Sequence, residues 1–100
     1  MIERTLLINA RLGLHARAAA KLVRVASGFQ SRVLLRRLDG PGGANVSADA
    51  KSILSVLMLA ASCGTELQAS AEGIDEEAAM NAVAQLFADG FGEMEPESSL

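Results

Sequence analysis

Residues 65–71 alternate strictly: Leu67, Ala69 and Ala71 fall on one side, Glu66, Gln68 and Ser70 on the other. A period of two with one apolar and one polar side is what a half-buried strand requires. It belongs to an antiparallel sheet wetted on one face, since a parallel sheet is buried on both. Whatever this chain folds into must leave one face of a sheet uncovered. Residues 2–9 (IERTLLIN) predict a first strand, with Ile2, Leu6 and Ile8 on one side, and 30–38 (QSRVLLRRL) a second. Residues 44–47 predict a short third strand, after a turn at 39–43 (DGPGG).

Between these runs the period changes. Ala19, Leu22, Val23 and Ala26 stand at i, i+3, i+4 and i+7, so an amphipathic helix is expected from Ala16 to Ser27, stopped at Gly28. A loop at 10–14 (ARLGL) leads into it. A second helix is expected from a cap at Asp49 or Ser52 to about Ser62, stopped at Gly64. Asp75, Glu76 and Glu77 form the acidic first turn of a third, whose stripe is Ala79, Ala82, Val83, Leu86 and Phe87 and which Gly90 ends. The order is β-α-β-β-α-β-α. This predicts an α+β fold, an open-faced β-sandwich of a four-stranded antiparallel sheet with three helices on one face. One domain is expected over residues 1–92, and 93–100, acidic and holding Pro96, as a frayed tail.

Composition narrows the function. Three Phe and no Trp or Tyr leave no platform for stacking bases, and a net charge of −3 lacks the basic surplus of a nucleic-acid binder. The core must be built from Ala, Leu, Val and Ile. One Cys and one His assemble neither a disulfide framework nor a zinc site, so no metal and no cofactor is expected. Cys63 reads as a small buried apolar residue. The uncharged run 52–65 is too short to cross a bilayer, and Glu3, Arg4 and Arg11 argue against a signal peptide, so a cytoplasmic location is expected.

The single histidine, His15, stands at the loop-to-helix junction of GLHARAAAKLV. As N-cap it would leave the amides of Ala16, Arg17 and Ala18 without intrahelical partners, an anion site at the positive end of the helix dipole. Arg17 adds a guanidinium suited to phosphate. Both features disfavour imidazolium, so a neutral, nucleophilic ring is expected, and its phosphorylated form would be stabilised by the same donors. By local pattern alone, a histidine that merely caps a helix is the commoner reading.

The residues GLHARAAAKLV resemble the active-site signature G-L-H-A-R-P-A of HPr, the histidine phosphocarrier family of the phosphoenolpyruvate-dependent phosphotransferase system. Gly13, Leu14, His15, Ala16, Arg17 and Ala19 match it, and the likeness runs on through KSILSVLMLA and Gly64 to about residue 92. It implies that His15 takes a phosphoryl group from enzyme I and passes it to IIA proteins or domains, that Arg17 steadies that group, and that the δ nitrogen carries it. It also implies a monomer. Ala18 departs from the family proline. Alanine is the better helix former and adds one N–H toward the anion, so the chemistry should survive.

Ser52, in Lys51-Ser52-Ile53, reads as an N-cap. By the resemblance it is a regulatory phosphorylation site for an HPr kinase/phosphorylase, where a phosphate would block docking rather than unfold the helix. The second helix carries two apolar stripes, Val56, Leu59, Ala60 and Cys63 on one side and Ile53, Leu54 and Leu57 on the other. Only one can face the sheet. The resemblance implies that the other docks partners, with Lys21 and Arg24, expected on the exposed side of the first helix, adding charge for acidic surfaces. Two alternatives stand beside the phosphocarrier of sugar uptake: a regulatory or nitrogen-branch paralogue, and a module that holds an anion at His15 and Arg17 without covalent chemistry.

Overall fold

The computed structural model describes residues 1–37, 46–59 and 61–92. Its elements follow the expected order: β1 (Ile2–Leu7), α1 (Ala16–Ser27), β2 (Arg32–Arg37), β3 (Val46–Asp49), α2 (Ile53–Met58), β4 (Glu66–Glu72) and α3 (Glu76–Ala88), then a short 3-10 turn at Gly90–Gly92. The turn expected at 39–43 and the tail at 93–100 lie outside the described residues.

The four strands form one antiparallel sheet in the order β1-β4-β2-β3. β4 is central: Leu67 pairs with Leu6 of β1 and with Arg37 of β2, and Ala71 with Ile2 and Val33. Its alternation is realised as expected, with Leu67, Ala69 and Ala71 buried and Glu66 exposed. Leu6, Val33, Leu35 and Ala48 join them on the covered face. Leu34, Arg36 and Ser47 look the other way, on the open face. The three helices cover one side only, so the fold is the open-faced α+β sandwich the alternation called for.

The core is aliphatic, with one aromatic exception. Ala18, Ala19, Leu22 and Ala26 of α1 meet Ala79, Met80 and Val83 of α3 over the small side chains of β4. Met80 belongs to that stripe although the sequence reading omitted it. Phe87 and Phe91 are both buried, with ring centroids 4.9 Å apart, and close the end of the core under the Gly90–Gly92 turn.

α2 is shorter than expected, ending at Met58 with Leu59 as its C-cap instead of near Ser62. The cause is competition for backbone hydrogen bonds. Past Leu59 the chain is bonded outward: Leu14 N donates to Ala61 O (2.9 Å), Gly64 N to Ile8 O (2.8 Å) and Ile8 N to Thr65 O (3.0 Å). The Arg37 guanidinium donates to Leu59 O at 2.9 Å and satisfies a carbonyl that the truncated helix leaves open. Cys63 is therefore off the helix and exposed in a turn, not buried. Its Sγ lies 3.8 Å from Asn9 O. Gly28 caps α1 as expected but with right-handed backbone (φ −76°), its N–H shared between the Ala26 and Val25 carbonyls.

Candidate functional site

The loop before α1 is built to hold its last residue in place. Gly13 has φ +70°, and a Cβ there would lie 2.5 Å from Ala61 O, so only glycine lets the loop sit against the 61–65 segment. Leu14 is buried beside it and anchors the loop to the core. What emerges is His15, in extended backbone (φ −77°, ψ −179°), as the N-cap of α1.

The first bond of the helical ladder runs from Ala19 N to His15 O at 2.8 Å. The amides of Ala16, Arg17 and Ala18 lie ahead of it, as the motif predicts. The His15 ring turns back over them: Nδ1 accepts from Arg17 N at 3.3 Å. A ring nitrogen accepts through its lone pair, so this contact presents Nδ1 to the helix end as an acceptor. Nε2 is shielded from solvent. The nitrogen at the helix end is thus Nδ1, and its present bond is long for a hydrogen bond and weak.

His15 borders an open depression of about 570 Å³, lined also by Arg11, Leu12, Arg17, Lys21 and Gly92. Three of these side chains are cationic, and among the described residues no carboxylate lines it. In a chain of net charge −3 this is a local inversion of sign. The arrangement suits a small anion of phosphate size beside the accepting nitrogen of His15.

A family model described as the PTS HPr component phosphorylation site matches residues 2–89. The chain belongs to the HPr family. The phosphocarrier protein HPr of Xylella fastidiosa strain 9a5c is 45% identical over 93 residues, covering 93% of this chain and 98% of that protein. The phosphocarrier protein NPr of Escherichia coli K12 is 39% identical over 92 residues, covering 92% and 97%. The crystal structure of HPr from Thermoanaerobacter tengcongensis matches with a TM-score of 0.79 at 40% identity, over 93% of this chain and 98% of that one. As an HPr-family protein the chain has the general role of a phosphocarrier of the phosphotransferase system.

The other residues expected of an HPr are distributed as follows. Ser52 caps α2, its Oγ accepting from Ser55 N at 3.3 Å; Asp49 instead bonds Lys51 N. Val56 and Leu59 face inward, while Ile53, Leu54 and Leu57 are exposed, joined by Met58. Ala60 lies outside the described residues. No neighbouring helix covers the second stripe among the described residues, and Leu54 is 66% exposed. Arg24 is exposed as expected. Lys21 is less exposed than expected: it is half-buried and donates to Phe91 O at 2.7 Å. Arg11, Leu12 and Gly92 of the Gly90–Gly92 turn were missed as pocket residues. Arg11, four positions before the histidine, carries a local signal; the turn, 75 residues and more downstream, carries none.

No helix among the described residues is long and apolar enough to cross a membrane. Among them, no group of His, Cys, Asp and Glu is placed to hold a metal ion.

Proposed function

We propose that this chain accepts a phosphoryl group from enzyme I on His15 Nδ1 and passes it to IIA proteins or domains of the phosphotransferase system. The observation that carries this reading is Nδ1 facing the Arg17 amide at the end of α1, on the border of a depression rimmed by cations. Nδ1 attacks phosphorus with its own lone pair, and the bond from phosphorus to the donor breaks with its electron pair leaving on the donor. No proton has to leave Nδ1 first. The weak contact to Arg17 N is given up, and that N–H turns to a phosphoryl oxygen together with the neighbouring amides and the Arg17 guanidinium. Return of the group to a IIA acceptor reverses these steps.

The proposed docking surface is the exposed stripe Ile53, Leu54 and Leu57, with the exposed Arg24 of α1 adding charge for acidic partners. An exposed apolar patch at the end of a helix that packs on α1 suits a partner reaching for His15. Ser52 is the proposed regulatory phosphorylation site, for an HPr kinase/phosphorylase. A dianion at the edge of that patch would hinder docking.

The test is labelling with enzyme I, magnesium and phosphoenolpyruvate. The expected result is one acid-labile, base-stable phosphate per chain, absent in His15→Ala. An unlabelled wild-type protein would leave the non-covalent anion module as the reading. The likeness to both HPr and NPr proteins supports, as a second reading, a relay that signals through its phosphorylation state. Discharge of the labelled protein by one class of IIA and not another decides between them.

A further inference from the structure

The chain has two lysines, and each donates from Nζ to a phenylalanine carbonyl: Lys21 to Phe91 at 2.7 Å, Lys51 to Phe29 at 2.8 Å. Their settings differ. Lys21 borders the depression that His15, Arg11 and Arg17 share, one helical turn beyond Arg17 on α1, a spacing at which like charges repel. The fold holds this ammonium there despite the repulsion. Phe91 sits in left-handed backbone (φ 58°, ψ 27°), flanked by Gly90 (φ 61°) and Gly92 (φ 75°). A residue with a side chain is disfavoured there. Burial of the Phe91 ring against Phe87 holds it in place, with its carbonyl on the Lys21 ammonium. A Cβ on Gly92 would lie 3.0 Å from Nζ, so glycine at that position leaves the ammonium its room. An ammonium has three N–H groups, and the bond to Phe91 does not exhaust them.

We propose that Lys21 is a ligand of the phosphoryl group on His15, its ammonium anchored by the Phe91 carbonyl and donating to a phosphoryl oxygen. The inference rests on the phosphoryl-acceptor reading of His15. Three like charges around one depression repel one another until an anion enters. The phosphoryl group supplies that anion, and a charge-assisted bond to it is stronger than one to a neutral carbonyl. Lys21 thereby contributes a contact that exists only while phosphate is carried.

The test uses the full chain phosphorylated with enzyme I, magnesium and phosphoenolpyruvate. A nearby ammonium favours the dianion, so in Lys21→Met the phosphoryl group should titrate about half a unit to one unit higher by phosphorus NMR. Lys21→Arg should restore the wild-type midpoint. A second measurement needs no variant. Phosphorylation should slow acetylation of Lys21 by about threefold or more while leaving Lys51, the matched control, unchanged. Unchanged titration in Lys21→Met, or equal acetylation of Lys21 in both states, overturns the assignment. A wild-type protein that takes up no phosphate overturns it together with the reading of His15; uptake without these shifts overturns it alone.

Discussion

At the scale of single residues the site depends on geometry that few substitutions tolerate. Gly13 is the sharpest case outside the reacting groups. A methyl group there meets Ala61 O while the backbone stays at positive φ. Gly13→Ala should cost about 1–3 kcal/mol by denaturant unfolding and slow labelling of His15, because the loop it displaces carries the N-cap. Labelling at the wild-type rate in a destabilised variant would show that the loop and the ring are not coupled. His15 and Arg17 were legible as candidates in the sequence because they stand within one turn of helix, where spacing in the chain is spacing in space. Lys21 was legible as a cation but not as a wall of the depression. Its partner, the Phe91 carbonyl, comes from residues that follow α3.

At the scale of elements, α2 separates a structural from a docking role. Its inward residues, Val56 and Leu59, are buried and its outward residues are not. Leu54→Ser should change stability by no more than about 0.5 kcal/mol while weakening the saturation of enzyme I. An unaltered KM for enzyme I would remove the outer stripe from the docking surface. Ser52→Ala removes the side-chain cap and should cost about 1 kcal/mol. Ser52→Asp keeps a capping oxygen and should leave the thermal midpoint nearly unchanged while slowing labelling. Equal labelling rates for wild type and Ser52→Asp would defeat the docking argument. The start of this helix was readable from its cap. Its end was not, because the carbonyls and amides of 61–65 are claimed by the 8–14 loop, a competitor that local propensity does not register.

At the scale of the whole molecule, acid sensitivity should arise where the chain is tied across long separations. The Asp75 carboxylate is held below its ordinary range foremost by the Ser31 hydroxyl, then by the Gln30 and Ser31 amides. Glu76 is held low by the Gly73 amide and then by the Met1 amino group, 3.2 Å away. These bonds are lost on unfolding, where both groups return to ordinary values near pH 4. Their stabilisation is complete above that range and disappears as pH falls through the lower folded-state values. The thermal midpoint should therefore drop below about pH 4, and less steeply in Asp75→Asn, whose amide does not titrate there. Identical acid limbs for the two proteins would show that Asp75 plays no part. The sequence by itself determined the class of fold, since the alternation in β4 demands a sheet with one open face. It also located the candidate site at His15, since a helix start carries its own donors. Only the tertiary structure decided that β4 lies between β1 and β2, that α2 stops at Met58, and that the turn after α3 meets Lys21 beside the histidine. Those depend on which distant backbone groups find each other, and hydrogen-bond partners far apart in the chain leave no periodic trace in it.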